Sequence, residues 1–216
     1  MLSLTLGRPG VPLRLLCLGA HSDDIEIGAG GTLLRLLAEY PGSQVDWVVL
    51  SSTPEREREA RASSAEFLAG AGRATVTIGT FRESFFPYRG ESIKDFFEQV
   101  KASVSPDLVF THHRRDEHQD HRLVAELTWN TFRDHLIAEY EIPKYEGDLG
   151  QPNLFVPLPA DVARRKVELI VRHFKSQASR SWFRPETFQA VMALRGVECN
   201  APDGLAEAFH CRKLTL

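Results

Sequence analysis

Two short clusters hold most of the residues that could do chemistry. "HSDD" supplies His21, Asp23 and Asp24, and "HQDH" supplies His118, Asp120 and His121. Zinc accepts histidine nitrogen and carboxylate oxygen, and a catalytic zinc site keeps three protein ligands with one position open for water. Adjacent aspartates point in different directions. One of Asp23 and Asp24 can therefore bind an ion while the other takes a proton from the water that the ion activates. Lewis-acid activation beside a general base is machinery for hydrolysis at neutral pH. The competing reading makes both clusters solvated loop and cap residues, since aspartate is ordinary at turns and helix N-caps.

The elements around the clusters bear on that choice. "LRLLCLGA" (14–20), "VDWVVLSS" (45–52), "ATVTIGT" (74–80) and "PDLVFTHH" (106–113) read as strands. "GGTLLRLLAEY" (30–40), "PEREREARASSAEFLAG" (54–70), "SIKDFFEQVKASV" (92–104) and "DHRLVAELTWNTFRDHL" (120–136) read as helices from their apolar spacing, with Pro54 suited to a first turn. Strands that are apolar throughout and alternate with helices imply an α/β fold, a Rossmann-like three-layer sandwich with a mostly parallel central sheet. Ligands in such folds bind beyond the carboxyl ends of the strands. Both His/Asp clusters fall there, after the first and the fourth strand, which favours a site over two unrelated caps. Residues 12–138 form the core of a single expected domain and 139–216 its C-terminal elaboration. In the latter only "ADVARRKVELIVRHFKSQ" (160–177) reads clearly, as a helix.

Other residues carry weaker signals. Gly28, Gly30 and Gly31 are spaced GxGG rather than GxGxxG, and the acidic residues before them would repel a pyrophosphate, so they suit a tight turn and close helix–strand packing. Glu26 either lines the cavity or caps the helix N-terminus. Within "EREREAR", usually a solvated helix face, Arg56 lies nearest the strand end and is the candidate for binding a polar substrate. His112 and His113 end a strand; each either lines the pocket, with His112 the candidate substrate contact, or is a satisfied edge histidine. "FFPY" (85–88) and Trp129 could stack on sugar faces, although aromatics are more often core.

The chain of 216 residues is 43% hydrophobic and 25% charged, enough for a sizeable core, and its formal charge of −3 gives no basic field for nucleic acid. No apolar run approaches the roughly 18–20 residues of a membrane span. The N-terminus, broken by Arg8, Pro9, Gly10 and Arg14, does not read as a signal peptide. Cys17, Cys199 and Cys211 form neither a disulfide framework nor a CxxC pattern, and a reducing cytoplasm is the simplest reading.

At these motifs the sequence resembles the PIG-L/LmbE-type zinc-dependent de-N-acetylases. "AHSDDIEIGAGGTL" is similar to their HPDD motif and the glycine-rich segment that follows it, and "HQDH" to their HxDH. "REREARASSAEFLAG" resembles their Arg/Glu helix after the second strand. Lys166, His173, Ser176 and Gln177 of "KVELIVRHFKSQ" resemble a K…H…SQ helix, and "AEAF" (206–209) a C-terminal motif. The resemblance implies that His21, Asp24 and His121 bind Zn2+, or another divalent metal, and that Asp23 is the general base. It implies that His118 stabilises an oxyanion or assists proton transfer, and that Asp120 orients or polarises a neighbouring histidine. The implied substrate is an N-acetylated amino sugar or glycoconjugate, and the implied assembly a homo-oligomer. Two alternatives stay open: a metal-dependent amidase or esterase on a non-sugar substrate, and a non-catalytic metal- or nucleotide-binding module. Ser22 stands where the family has proline, which would fix φ and stiffen the loop.

Overall fold

Strand β1 (Arg14–Gly19) is buried on both faces, with Leu15 and Cys17 in one core and Leu16 and Leu18 in the other. The computed structural model describes residues 4–8 and 10–215; residues 1–3, 9 and 216 lie outside these, and with them part of the N-terminal stretch read above. After β1 come α1 (Asp24–Glu39), β2 (Gln44–Val49), α2 (Pro54–Phe67), β3 (Arg73–Ile78), α3 (Gly90–Ser103), β4 (Leu108–His112), α4 (Gln119–Thr131) and β5 (Leu136–Tyr140). The chain continues through β6 (Leu154–Pro157), α5 (Ala160–His173), α6 (Pro185–Cys199) and β7 (Ala206–Cys211).

The seven strands form one sheet in the order β3-β2-β1-β4-β5-β7-β6. Strands β1 to β5 run parallel, and β7 is antiparallel to both β5 and β6. Helices α1, α2, α5 and α6 pack into the core on one face, α3 and α4 into the core on the other. This is the mostly parallel, three-layer α/β arrangement implied by the strand–helix alternation. No helix among the described residues is long and apolar enough to cross a membrane.

Three elements differ from the expectation. Helix α1 starts at Asp24, not at residue 30, so Gly28 lies inside the helix together with Gly30 and Gly31, and no tight turn precedes them. Close packing explains them. A Cβ on Gly28 would sit 2.3 Å from Tyr140 Cδ2, one on Gly30 2.7 Å from Phe67 Cε1 and one on Gly31 2.5 Å from Leu158 Cδ1. Each glycine costs a helix about 1 kcal/mol against alanine, and here the approach of the sheet and neighbouring helices requires it. Helix α4 ends at Thr131, because the buried apolar run from Leu136 belongs to β5. The unassigned tail holds α6 and the inserted strand β7.

Candidate metal centre

The strands β1 and β4 are neighbours, yet the chain leaves them to opposite faces, into α1 and α4. Ligands in open α/β sheets bind beyond the carboxyl ends of strands at such a reversal, and both His/Asp clusters follow these strand ends. His21, Asp23, Asp24, Asp120 and His121 are all buried. Asp23 occupies the N-cap position of α1, but its side chain makes no capping bond. It turns instead to Arg56, whose Nη2 donates to Asp23 Oδ1 at 2.5 Å. Asp23 Oδ2 is buried without a hydrogen-bond partner.

Hydrogen bonds fix which ring nitrogen of each histidine is free. His21 Nε2 lies 3.2 Å from Asp120 Oδ2, and Asp120 also accepts from the backbone N–H groups of Ser84 (2.6 Å) and Phe86 (3.1 Å). His121 Nδ1 lies 3.0 Å from Asp116 Oδ2. Carboxylates accept only, so each of those nitrogens carries a proton, and the other nitrogen of each ring is the one whose lone pair an ion could take. Those two, His21 Nδ1 and His121 Nε2, are 3.1 Å apart. Asp24 Oδ2 is 3.5 Å from the first and Asp24 Oδ1 3.6 Å from the second. Two ligands about 2.1 Å from one ion at a tetrahedral angle stand about 3.4 Å apart. His21 Nδ1 and His121 Nε2 stand at about that spacing, with one Asp24 oxygen near each, and this nitrogen and oxygen donor chemistry suits a divalent cation.

Two other histidines are close enough to be considered as ligands: His118 with His21 and His121, and His112 with Asp24 and His121. Both are otherwise committed. His118 Nδ1 accepts the Asp120 backbone N–H at 3.2 Å, so its neutral ring carries the proton on Nε2. His112 Nε2 accepts from Ala20 N at 3.0 Å, and the ring is fully buried, stacked 3.9 Å from His121. In this position His112 is packed behind His121 and Asp24, with Nε2 3.1 Å from Asp24 Oδ2, and presents no exposed surface to a substrate.

Charge follows the same geometry. Burial works against the His21 imidazolium, but Asp24 and Asp120 beside it outweigh burial and raise it to about 10. Burial and neighbouring His112 push His121 down to about 3. For Asp24, burial is overcome by His121, His112 and His21, which hold the carboxyl well below its usual range. Burial raises Asp23 against the pull of Arg56, with Asp24 adding to the rise. Burial and His21 lower His118. Glu26 is fully buried, and burial pushes its carboxyl well up.

Arg56 reaches Asp23 from the first turn of α2, which is capped by Thr53 Oγ1 accepting from Arg56 N. Its other contact is Glu83, 3.9 Å away. His113 is turned away, 2.7 Å from Glu139 and stacked on His210. Trp129 donates to Glu139 and lies under Arg212. Of "FFPY", Phe86 is buried 6.1 Å from the His21 ring, while Phe85 and Tyr88 are exposed on the 3-10 turn at Phe86–Arg89 and just before it. Asp116, Lys144 and Ser84 contact the site and carried no sequence signal beyond ordinary loop composition. Lys166, His173 and Ser176 are structural. Lys166 pairs with Glu207, and His173 and Ser176 bind Glu66 and Glu59 of α2.

A family model described as PIG-L: GlcNAc-PI de-N-acetylase matches residues 16–132, just over half of the chain. Among solved structures, N,N'-diacetylchitobiose deacetylase from Pyrococcus horikoshii aligns at 20% identity and a TM-score of 0.72, covering 92% of this chain and 83% of that one. A conserved protein from Thermus thermophilus aligns at 20% identity and 0.72, covering 94% and 96%. The 4-carboxy-2-hydroxymuconate hydratase of Pseudomonas putida aligns at 18% and 0.69, covering 94% and 98%. At these identities the structures share the fold.

Proposed function

This chain belongs to the PIG-L family of de-N-acetylases, and from that membership we propose that it hydrolyses the acetamide of an N-acetylated amino sugar or sugar conjugate, yielding acetate and a free amine. The observation that carries the reading is the convergence of His21 Nδ1, His121 Nε2 and the Asp24 carboxylate beside the unpartnered Asp23 Oδ2. His21, Asp24 and His121 would hold a divalent cation, zinc being the reading their nitrogen and oxygen donors support. Such an ion supplies Lewis acidity toward water and the amide carbonyl.

The protein's own groups do the rest. Asp23 Oδ2 accepts the proton of the attacking water, and burial, by raising its proton affinity, makes it a better base at neutral pH. Arg56 fixes that carboxylate through Oδ1 and leaves Oδ2 to react. His118 presents Nε2–H toward the developing oxyanion. The proton gained by Asp23 then passes to the departing nitrogen, because an amide anion is too basic to leave unprotonated. Asp120 holds His21 in the tautomer that frees Nδ1.

The test is acetate release from a panel of N-acetylated sugars and sugar conjugates by zinc-loaded wild type and Asp23→Asn. The variant keeps its metal and loses about 10²- to 10⁴-fold in rate. Absence of metal binding in both proteins, or full activity in the variant, overturns the reading. Water addition without acetate release would place the chemistry with that of the hydratase neighbour instead.

A further inference from the structure

We propose that Asp116 and Lys144 are positioning residues for this centre, and that Lys144, which lies beyond the stretch matching the family model, ties the C-terminal part of the chain to it. The inference rests on the reading that His121 binds the cation through Nε2.

The Asp116 carboxylate is 3% exposed and uses both oxygens. Oδ1 accepts the backbone N–H of His118 at 2.8 Å. Oδ2 accepts from His121 Nδ1 at 3.0 Å and from Lys144 Nζ at 3.0 Å. One side chain therefore sets the backbone of the first histidine of HQDH and the ring of the second. Donation from Nδ1 to a carboxylate fixes the tautomer that leaves Nε2 free and makes that nitrogen a stronger donor. Asp120 does the same for His21, so each ring aimed at the ion has its own carboxylate behind it.

Lys144 holds Asp116 from outside. It follows β5, is largely buried, and binds Asp148 Oδ1 at 2.6 Å as well as Asp116. Asp148 Oδ2 in turn accepts the Glu117 backbone N–H at 2.7 Å. Residues 144–148 thus grip the 116–118 turn at two points. A buried carboxylate shared between an imidazole and an ammonium has fewer rotamers open to it, and the ring it orients is held accordingly.

The experiment uses the full chain and the metal alone. Zinc(II) affinity, the ligand-field spectrum of the cobalt(II) form and the 15N-histidine NMR spectrum are measured for wild type, Asp116→Ala, Asp116→Asn and Lys144→Met, with circular dichroism as the check on folding. Asp116→Ala weakens zinc binding about 10- to 100-fold, alters the cobalt spectrum and loses the slowly exchanging His121 Nδ1–H. Asp116→Asn, which keeps an acceptor oxygen, falls between it and wild type and answers the question if the alanine variant does not fold. Lys144→Met lowers affinity several-fold and speeds exchange of the same proton. Folded variants with wild-type affinity, spectrum and exchange overturn the inference while leaving the metal centre intact. A wild type that binds neither ion overturns both.

Discussion

His21 Nδ1 and His121 Nε2 face each other at 3.1 Å, each ring anchored on its far side by a different aspartate. Two lone pairs so placed repel unless something positive lies between them. A proton on His21 answers that need, and Asp24 and Asp120 hold its imidazolium up to about 10 against burial. A cation at the same place must displace this proton.

Divalent-metal affinity is therefore expected to rise with pH. His21 is protonated at neutral pH when no metal is bound, whereas His121, pushed down to about 3, is already neutral. Between pH 6 and 9 the apparent affinity climbs by about tenfold per unit and close to one proton leaves per ion bound. The sign for stability is opposite. A raised histidine stabilises the metal-free fold fully below its unfolded value near 6.5 and loses that contribution as pH rises through about 10. Titration against a chromophoric chelator, with proton release followed in weak buffer, checks the first statement. A flat affinity profile would contradict it.

His118 separates a ligand from a hydrogen-bond donor. Its Nδ1 is occupied by the Asp120 N–H, which leaves Nε2–H as the ring's free donor. His118→Ala should keep the bound metal and its affinity within a few-fold, while kcat on an N-acetylated substrate falls about 10²- to 10³-fold with KM little changed. Metal content by mass spectrometry together with steady-state kinetics decides. Stoichiometric loss of metal in the variant would make His118 a ligand.

Ser22, the departure from HPDD, has a partner that a proline would lack. Its Oγ lies 2.9 Å from Ser52 Oγ, and Ser52 Oγ donates to Thr53 O at 3.1 Å, so the Ser22 hydroxyl is the donor of the first bond. The pair joins the turn after β1 to the start of α2, where Arg56 reaches Asp23. Ser22→Ala should cost about 1 kcal/mol in urea unfolding. It should also weaken metal binding by less than the factor of ten that about 1.4 kcal/mol represents. An alanine variant as stable as wild type would show that the turn needs no stiffening.

The parallel sheet and the meeting of the two His/Asp clusters are legible because both rest on local pattern: apolar runs buried on two faces, and charge placed where those runs stop. Asp116 and Lys144 are not, since the contact that gives them a role joins loops 28 residues apart. The first turns of α1 are not legible, since intrinsic preference disfavours Gly28 in a helix and the packing of Tyr140 that demands glycine there is tertiary. Strand β7 was hidden by Glu207, a charge in a buried position that reads as surface until its partner Lys166 is known.

That pair supplies the last prediction. Lys166 Nζ and Glu207 Oε1 are 2.6 Å apart and both side chains are 3% exposed. Lys166 also donates to Ile27 O, and Glu207 accepts from the N–H groups of Gly31 and Thr32, so the ion pair grips α1 a few residues after Asp24. Removing one partner strands the other charge in a buried position. Lys166→Met should lower unfolding free energy by about 3–5 kcal/mol. The double variant Lys166→Met/Glu207→Gln should recover part of that, because its amide oxygen can still accept from the helix and no net charge remains buried. Urea denaturation of the three proteins measures both numbers and their coupling. A single variant within about 0.5 kcal/mol of wild type, the range of a neutral surface change, would mean that α1 is held by packing alone.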